Sequence, residues 1–144
     1  MSRLELPRAE IAFRSEYEKI VLDEKLTVVF RPGDRVFPAW RGYKKGELIT
    51  ARIIQTLGDD SKLIPPIFTE DKKELMISDI KVVKISNLKE SDFFGSSDDV
   101  KNVKDLEKQI NWIYGQTLSY FDNVVTLIKL EYVCCVCKLD SFSK

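Results

Sequence analysis

Histidine is absent from the chain, and cysteine, proline and glycine are scarce: three, five and six among 144 residues. Without histidine there is no Ser-His-Asp triad, no Cys-His dyad and no metal site built on imidazole. The cysteines fall together at Cys134, Cys135 and Cys137. Disulfides that staple a fold close loops between distant positions, and these three cannot. Cys134 and Cys137 form a CxxC, but tetrahedral zinc needs a second ligand pair, which only a site shared between copies would supply. Free thiols in a reducing cytosol are the plainer reading. A cytoplasmic location, no metal and no other cofactor are therefore expected. Long apolar runs are also missing, so no membrane span is expected. The residues from Met1 to Pro7 contain no apolar signal-peptide core, and no secretory leader is expected. Net charge is missing too, because 23 Lys and Arg balance 23 Asp and Glu. That balance disfavours a protein that coats nucleic acid indiscriminately, while leaving room for a local basic patch.

What is present is an ordinary globular composition, with 44% hydrophobic residues. A chain of this length suits a single core. One domain over 1–133 and a C-terminal tail over 134–144 are expected. Residues 9–13 alternate and suit a first strand. Ser15 and Glu18 have capping-box spacing, and Tyr17, Ile20 and Val21 share one stripe, so a helix is expected over 15–23. The β-branched run 26–31 reads as a strand and 31–34 as a turn. Segments 35–38 and 47–55 read as two further strands. The polar stretch 57–73, with Pro65 and Pro66, reads as a loop or insertion. Residues 74–85 give one or two strands, with Val82, Val83 and Ile85 as candidate core. Lys89 to Phe94 suggests a helical turn stopped by Gly95. Asp98 or Asp99 would cap a helix running to Tyr114, with Val103, Leu106, Ile110, Ile113 and Tyr114 on one face and Gly115 closing it. A last strand spans 124–133. This order predicts an α+β, mainly β fold: a small mixed or antiparallel barrel with flanking helices.

Two features carry chemistry. The first is the segment 31–45, where Arg31, Arg35, Arg41, Lys44 and Lys45 face only Asp34 in sequence. Phe30, Phe37, Trp40 and Tyr43 interleave with these cations. Guanidinium groups contact phosphates, and aromatic faces stack unpaired bases. The competing reading is a solvated loop whose aromatics pack a barrel mouth; Phe30 and Phe37 are expected in the core, and Trp40 is the better stacking candidate. The second feature is acidic: Asp98, Asp99, Glu90 and Asp92. Helix caps and solvated turns explain these better than paired catalytic carboxylates do. Lys101, Lys104 and Lys108 lie along one helix, either as a phosphate-facing strip or as an ordinary solvated face with Asp105 and Glu107.

The order of helix, strand ending at Arg31, Pro32-Gly33-Asp34-Arg35-Val36-Phe37, and Ala51-Arg52-Ile53-Ile54 resembles the ASCH domain, a branch of the PUA-like barrels. Val83–Leu88, Leu88-Lys89-Glu90-Ser91-Asp92-Phe93, the helix around Leu106–Tyr114 and the last strand from Val125 to Glu131 follow in the same order. The resemblance covers about residues 9 to 133. The family signature GxKxxExR falls on 24–31, where Arg31 fits. Glu24, Leu26 and Val29 replace its Gly, Lys and Glu (Thr in some members). The resemblance implies RNA or nucleotide binding in a groove beside this strand, by single-stranded or structured RNA. Arg31, Lys25, Thr27, Arg35, Trp40, Arg41, Lys44 and Lys45 are the candidate contacts. It also implies an alternative, because some bacterial members resemble amidohydrolases acting on acetylated cytidine through a Lys, a Thr and a Glu. With Leu26 and Val29 at two of those positions, and only Asp98 or Asp99 near the third, no catalytic residues are expected. A third reading is an adaptor that contacts a protein partner through 57–73.

Overall fold

The computed structural model describes residues 10–39 and 42–133. Trp40, Arg41, the three cysteines and the segment 134–144 lie outside the described residues. The strands are β1 (Glu10–Arg14), β2 (Val28–Pro32), β3 (Leu48–Thr56), β4 (Ile67–Lys84) and β5 (Val124–Tyr132), and the helices are α1 (Glu18–Leu22) and α2 (Val103–Tyr114). The fold is mainly β, a mixed five-stranded sheet in the order β1-β3-β4-β5-β2, curled into a half-barrel. β1 runs parallel to β3, and the other pairings are antiparallel.

The curl follows from how β4 is shared. Its first part pairs with β3, from Ile67 opposite Thr56 to Met76 opposite Leu48. Its second part pairs with β5, from Leu75 opposite Tyr132 to Lys84 opposite Val124. A bulge between Ile77 and Asp79 bends the strand near this handover, and a bulge increases local twist. The sheet therefore turns back on itself and leaves β1 and β2 as its two edges.

Period-two alternation places one set of side chains inside the curl. Ile11, Phe13, Ala51, Ile53, Leu75, Ile77, Ile128 and Leu130 form this interior with Leu26, Val29 and Val21 of α1. The opposite face of β2 and β5 carries Val28, Phe30, Val125 and Leu127, and α2 covers it with Leu106 and Ile110. Each fully buried aliphatic side chain of this kind contributes roughly 1.5–3 kcal/mol. β2 is consequently apolar on both faces, which explains its unbroken run Val28-Val29-Phe30.

Several local expectations are corrected. The chain from Ser15 to Tyr17 is a 3-10 turn and only Glu18–Leu22 is α-helical, with no side-chain cap at either start. Residues 35–38 form no strand; Val36 makes a single bridge with Tyr43. Phe37 is not core but 44% exposed, whereas Tyr43 is buried in the barrel interior. Val82 is 43% exposed, because it points away from both clusters. The loop after β3 ends at Pro66, and residues 67–73 already belong to β4. Asp98 and Asp99 do not cap α2. Asn102 does, accepting from the Asp105 amide at 2.9 Å, and Gly115 closes the helix with φ 68° as expected.

Among the described residues no helix is long and apolar enough to cross a membrane.

Candidate functional site

The two free sheet edges frame a cleft of about 680 Å³. One wall is β1 with Arg14 and Tyr17, the other is β2 with Arg31 and the following Arg35, and the loop around Leu57 and Asp59 adds a third side. Arg31 spans the seam. Its Nη2 donates to the Ala12 carbonyl of β1 at 3.2 Å and its Nη1 to the Phe30 carbonyl at 3.3 Å. The guanidinium carbon lies 5.4 Å from the centre of the Phe13 ring. Arg31 makes no ion pair with Asp34 or Glu24: Asp34 accepts from the Val36 amide and Glu24 pairs with Lys73 at 2.8 Å. Two carbonyl bonds use two of the five guanidinium donors, and neither partner carries a formal charge. The positive charge of Arg31 is therefore not neutralised in the cleft wall.

Arg35 is set in place by a buried hydroxyl. Thr126 is fully buried and donates to the Gly33 carbonyl at 2.7 Å while accepting from the Arg35 amide at 2.7 Å. Beyond it, the Tyr43 amide donates to the Arg35 carbonyl at 2.8 Å, and the Tyr43 hydroxyl donates across the seam to the Glu10 carbonyl at 2.8 Å. Arg14 lines the opposite wall and donates to the Ile113 carbonyl at 3.0 Å. Of the carboxylates in the lining, Glu10 is paired with Arg52 at 3.1 Å, and Asp59 accepts from Ser61. The cleft lining thus gathers three guanidinium groups against two carboxylates, of which Glu10 is paired with Arg52 while Asp59, bonded to a neutral serine, keeps its charge.

Lys25, Thr27, Lys44 and Lys45, the other predicted contacts among the described residues, lie elsewhere. Lys25 sits in the exposed turn after α1. Thr27 turns its side chain toward Gly95, and its amide donates to the Gly95 carbonyl at 2.9 Å. Lys44 lies over the Phe37 ring at 5.0 Å, and Lys45 is exposed. None of these four lines the cleft. Leu26 and Val29 do line it, so hydrocarbon stands at the two positions where the hydrolytic pattern has reactive groups.

A polar group at one end of the cleft escaped the reading of the sequence. Sequence spacing puts Tyr17 on an apolar helical stripe, but its hydroxyl donates to Asp99 at 2.7 Å and accepts from Gln109 at 2.9 Å. Asp99 also accepts from Ser97. Burial pushes the Tyr17 phenol up to about 12, with the Asp99 carboxylate adding to the shift and the Gln109 hydrogen bond opposing it. Tyr132 is likewise raised to about 12 by burial, helped by the Glu24 carboxylate. No protein family, curated protein or solved structure matches the chain.

The two raised phenols give a pH prediction. Each favours the neutral form in the folded state, so its stabilisation is present below the ordinary tyrosine value of 10 and is lost as pH rises toward about 12. Alkaline titration by ultraviolet absorbance should show a component near pH 12 that disappears in Tyr17→Phe and Tyr132→Phe. Loss of a component near pH 10 instead would contradict the burial of these hydroxyls.

Proposed function

We propose that the chain is an RNA-binding module of the ASCH and PUA-like type, and that it holds single-stranded RNA or a nucleotide in the cleft between β1 and β2. The observation that carries this reading is the convergence of Arg14, Arg31 and Arg35 on one open cleft with aromatic side chains in its walls. Guanidinium groups supply forked donors for phosphate oxygens and base edges, and they hold their charge at every physiological pH. Of the rings in the same walls, Phe13, Tyr17, Phe30 and Tyr43 are buried, and the partly exposed Phe68 and Tyr114 are the ones that offer surface to a base. The placement of Arg31 at the end of the strand that follows the first helix supports the family assignment. So does Glu24, which stands where the signature has glycine and adopts φ 60°, a conformation that favours glycine.

The test is fluorescence anisotropy of a labelled single-stranded uridine oligomer over a range of salt. Each phosphate contact in a single strand contributes a slope of about −0.7 in log K against log salt, so three cations predict a slope of about −2. Arg31→Ala should weaken binding roughly tenfold or more, as loss of a charged hydrogen bond does. Arg31→Lys keeps the charge but not the fork, so it should keep most of the slope with reduced affinity. No binding at low salt, or a silent Arg31→Ala, would overturn the proposal.

A further inference from the structure

Trp112 is large, aromatic and 48% exposed, on a helix whose apolar stripe is otherwise turned inward. It lies at the rim of the cleft. The Arg14 guanidinium, which lines the cleft, sits 4.8 Å from the centre of the Trp112 ring. Tyr17, another lining residue, meets that ring edge-on with centroids 6.4 Å apart. Two helical turns carry the same face of α2 away from the cleft through Lys108 and Lys104. These three residues are spaced at i, i+4 and i+8, so about 6 Å of helix axis separates each from the next. With Glu107 and Asn111 they line one shallow groove, in which Glu107 is the single carboxylate against two lysines.

We propose that an RNA strand too long for the cleft leaves it across α2, stacking a base on Trp112 and laying its phosphates against Lys108 and Lys104. This rests on the reading of the cleft as an RNA site. Continuity and charge select this occupant. Arg14 of the cleft lies against Trp112 of the groove, so the two surfaces adjoin, and the groove carries two lysines against one carboxylate. A guanidinium already against the indole adds a cation beside the stacking surface.

The experiment compares a uridine trinucleotide, short enough for the cleft alone, with a uridine decamer. Trp112→Ala should weaken decamer binding by about 5- to 100-fold and trinucleotide binding by several-fold less, the smaller loss reflecting the ring's contact with Arg14, and a thermal melt shows that the variant is folded. Trp112→Phe keeps a ring and should recover most of the loss. Joint replacement of Lys104 and Lys108 by Ala should reduce the decamer's salt slope by about 1.4 and leave that of the trinucleotide intact. Equal effects on both oligomers, or no effect on either, would overturn the path over α2. A trinucleotide that binds and responds to Arg31→Ala would then still uphold the cleft. Failure of the wild-type chain to bind either oligomer would overturn both.

Discussion

Thr126→Val should lower stability by about 2–4 kcal/mol and the melting temperature by roughly 5–15 °C. Valine matches threonine in shape, so no cavity accompanies the change. What is lost is a fully buried hydroxyl that serves two backbone groups, the Gly33 carbonyl and the Arg35 amide, each at 2.7 Å. Both then lose that partner inside the protein, and an unsatisfied buried polar group costs about 1–3 kcal/mol. Thr126→Ser keeps the hydroxyl and should cost only about 1 kcal/mol for the missing methyl. The same change reaches function, because the turn that aims Arg35 at the cleft loses its anchor. Weaker RNA binding with a reduced salt slope should accompany the fall in stability. Thermal melts of the two variants decide the matter, and equal losses for Val and Ser would contradict the role of the hydroxyl.

Gly95→Ala should be comparably damaging, at about 2–4 kcal/mol. Gly95 has φ 94°, where a side chain is strained, and an added Cβ would collide with Thr27 Oγ1. Its carbonyl also accepts from the Thr27 and Val28 amides at 2.9 and 3.1 Å, so the 3-10 turn ending at Phe93 is docked directly on the start of β2. Moving that turn disturbs the strand that carries Arg31. Pairing Gly95→Ala with Thr27→Ala separates the two causes. The double variant should regain the steric part and keep the backbone penalty, and a double variant no more stable than Gly95→Ala would show that the collision is not what limits the site.

Much of the architecture was legible where a segment's own periodicity agreed with its burial. The face of α2 was visible because Leu106 and Ile110 fall at helical spacing and both reach the core. β2 and β5 were visible because they are rich in β-branched residues. The N-terminal part of β4 was not, since Thr69-Glu70-Asp71-Lys72-Lys73 has no apolar alternation and extends as a hairpin arm paired to β3. The supposed strand at 35–38 failed because Asp34 accepts from the Val36 amide and turns the chain there, and Tyr43 fills the interior position assigned to Phe37.

The site was legible in part for a similar reason. Arg31 and Arg35 belong to one local segment, and both line the cleft. Lys25, Thr27, Lys44 and Lys45 are neighbours in sequence but face other ways. Arg14 and Tyr17 were missed because the seam arises only when β1 and β2 come to rest at opposite edges of one curled sheet. No local pattern reports that meeting of distant edges.

The most direct measurement is a map of backbone amide chemical shifts in labelled protein titrated with a uridine trinucleotide at low salt. Binding in the seam predicts that the shifts concentrate in Ala12 to Arg14, Phe30, Arg31 and Arg35, and saturate together with the anisotropy signal. Shifts confined to residues 61–64 at the tip of the β3–β4 loop, or none at all, would contradict it.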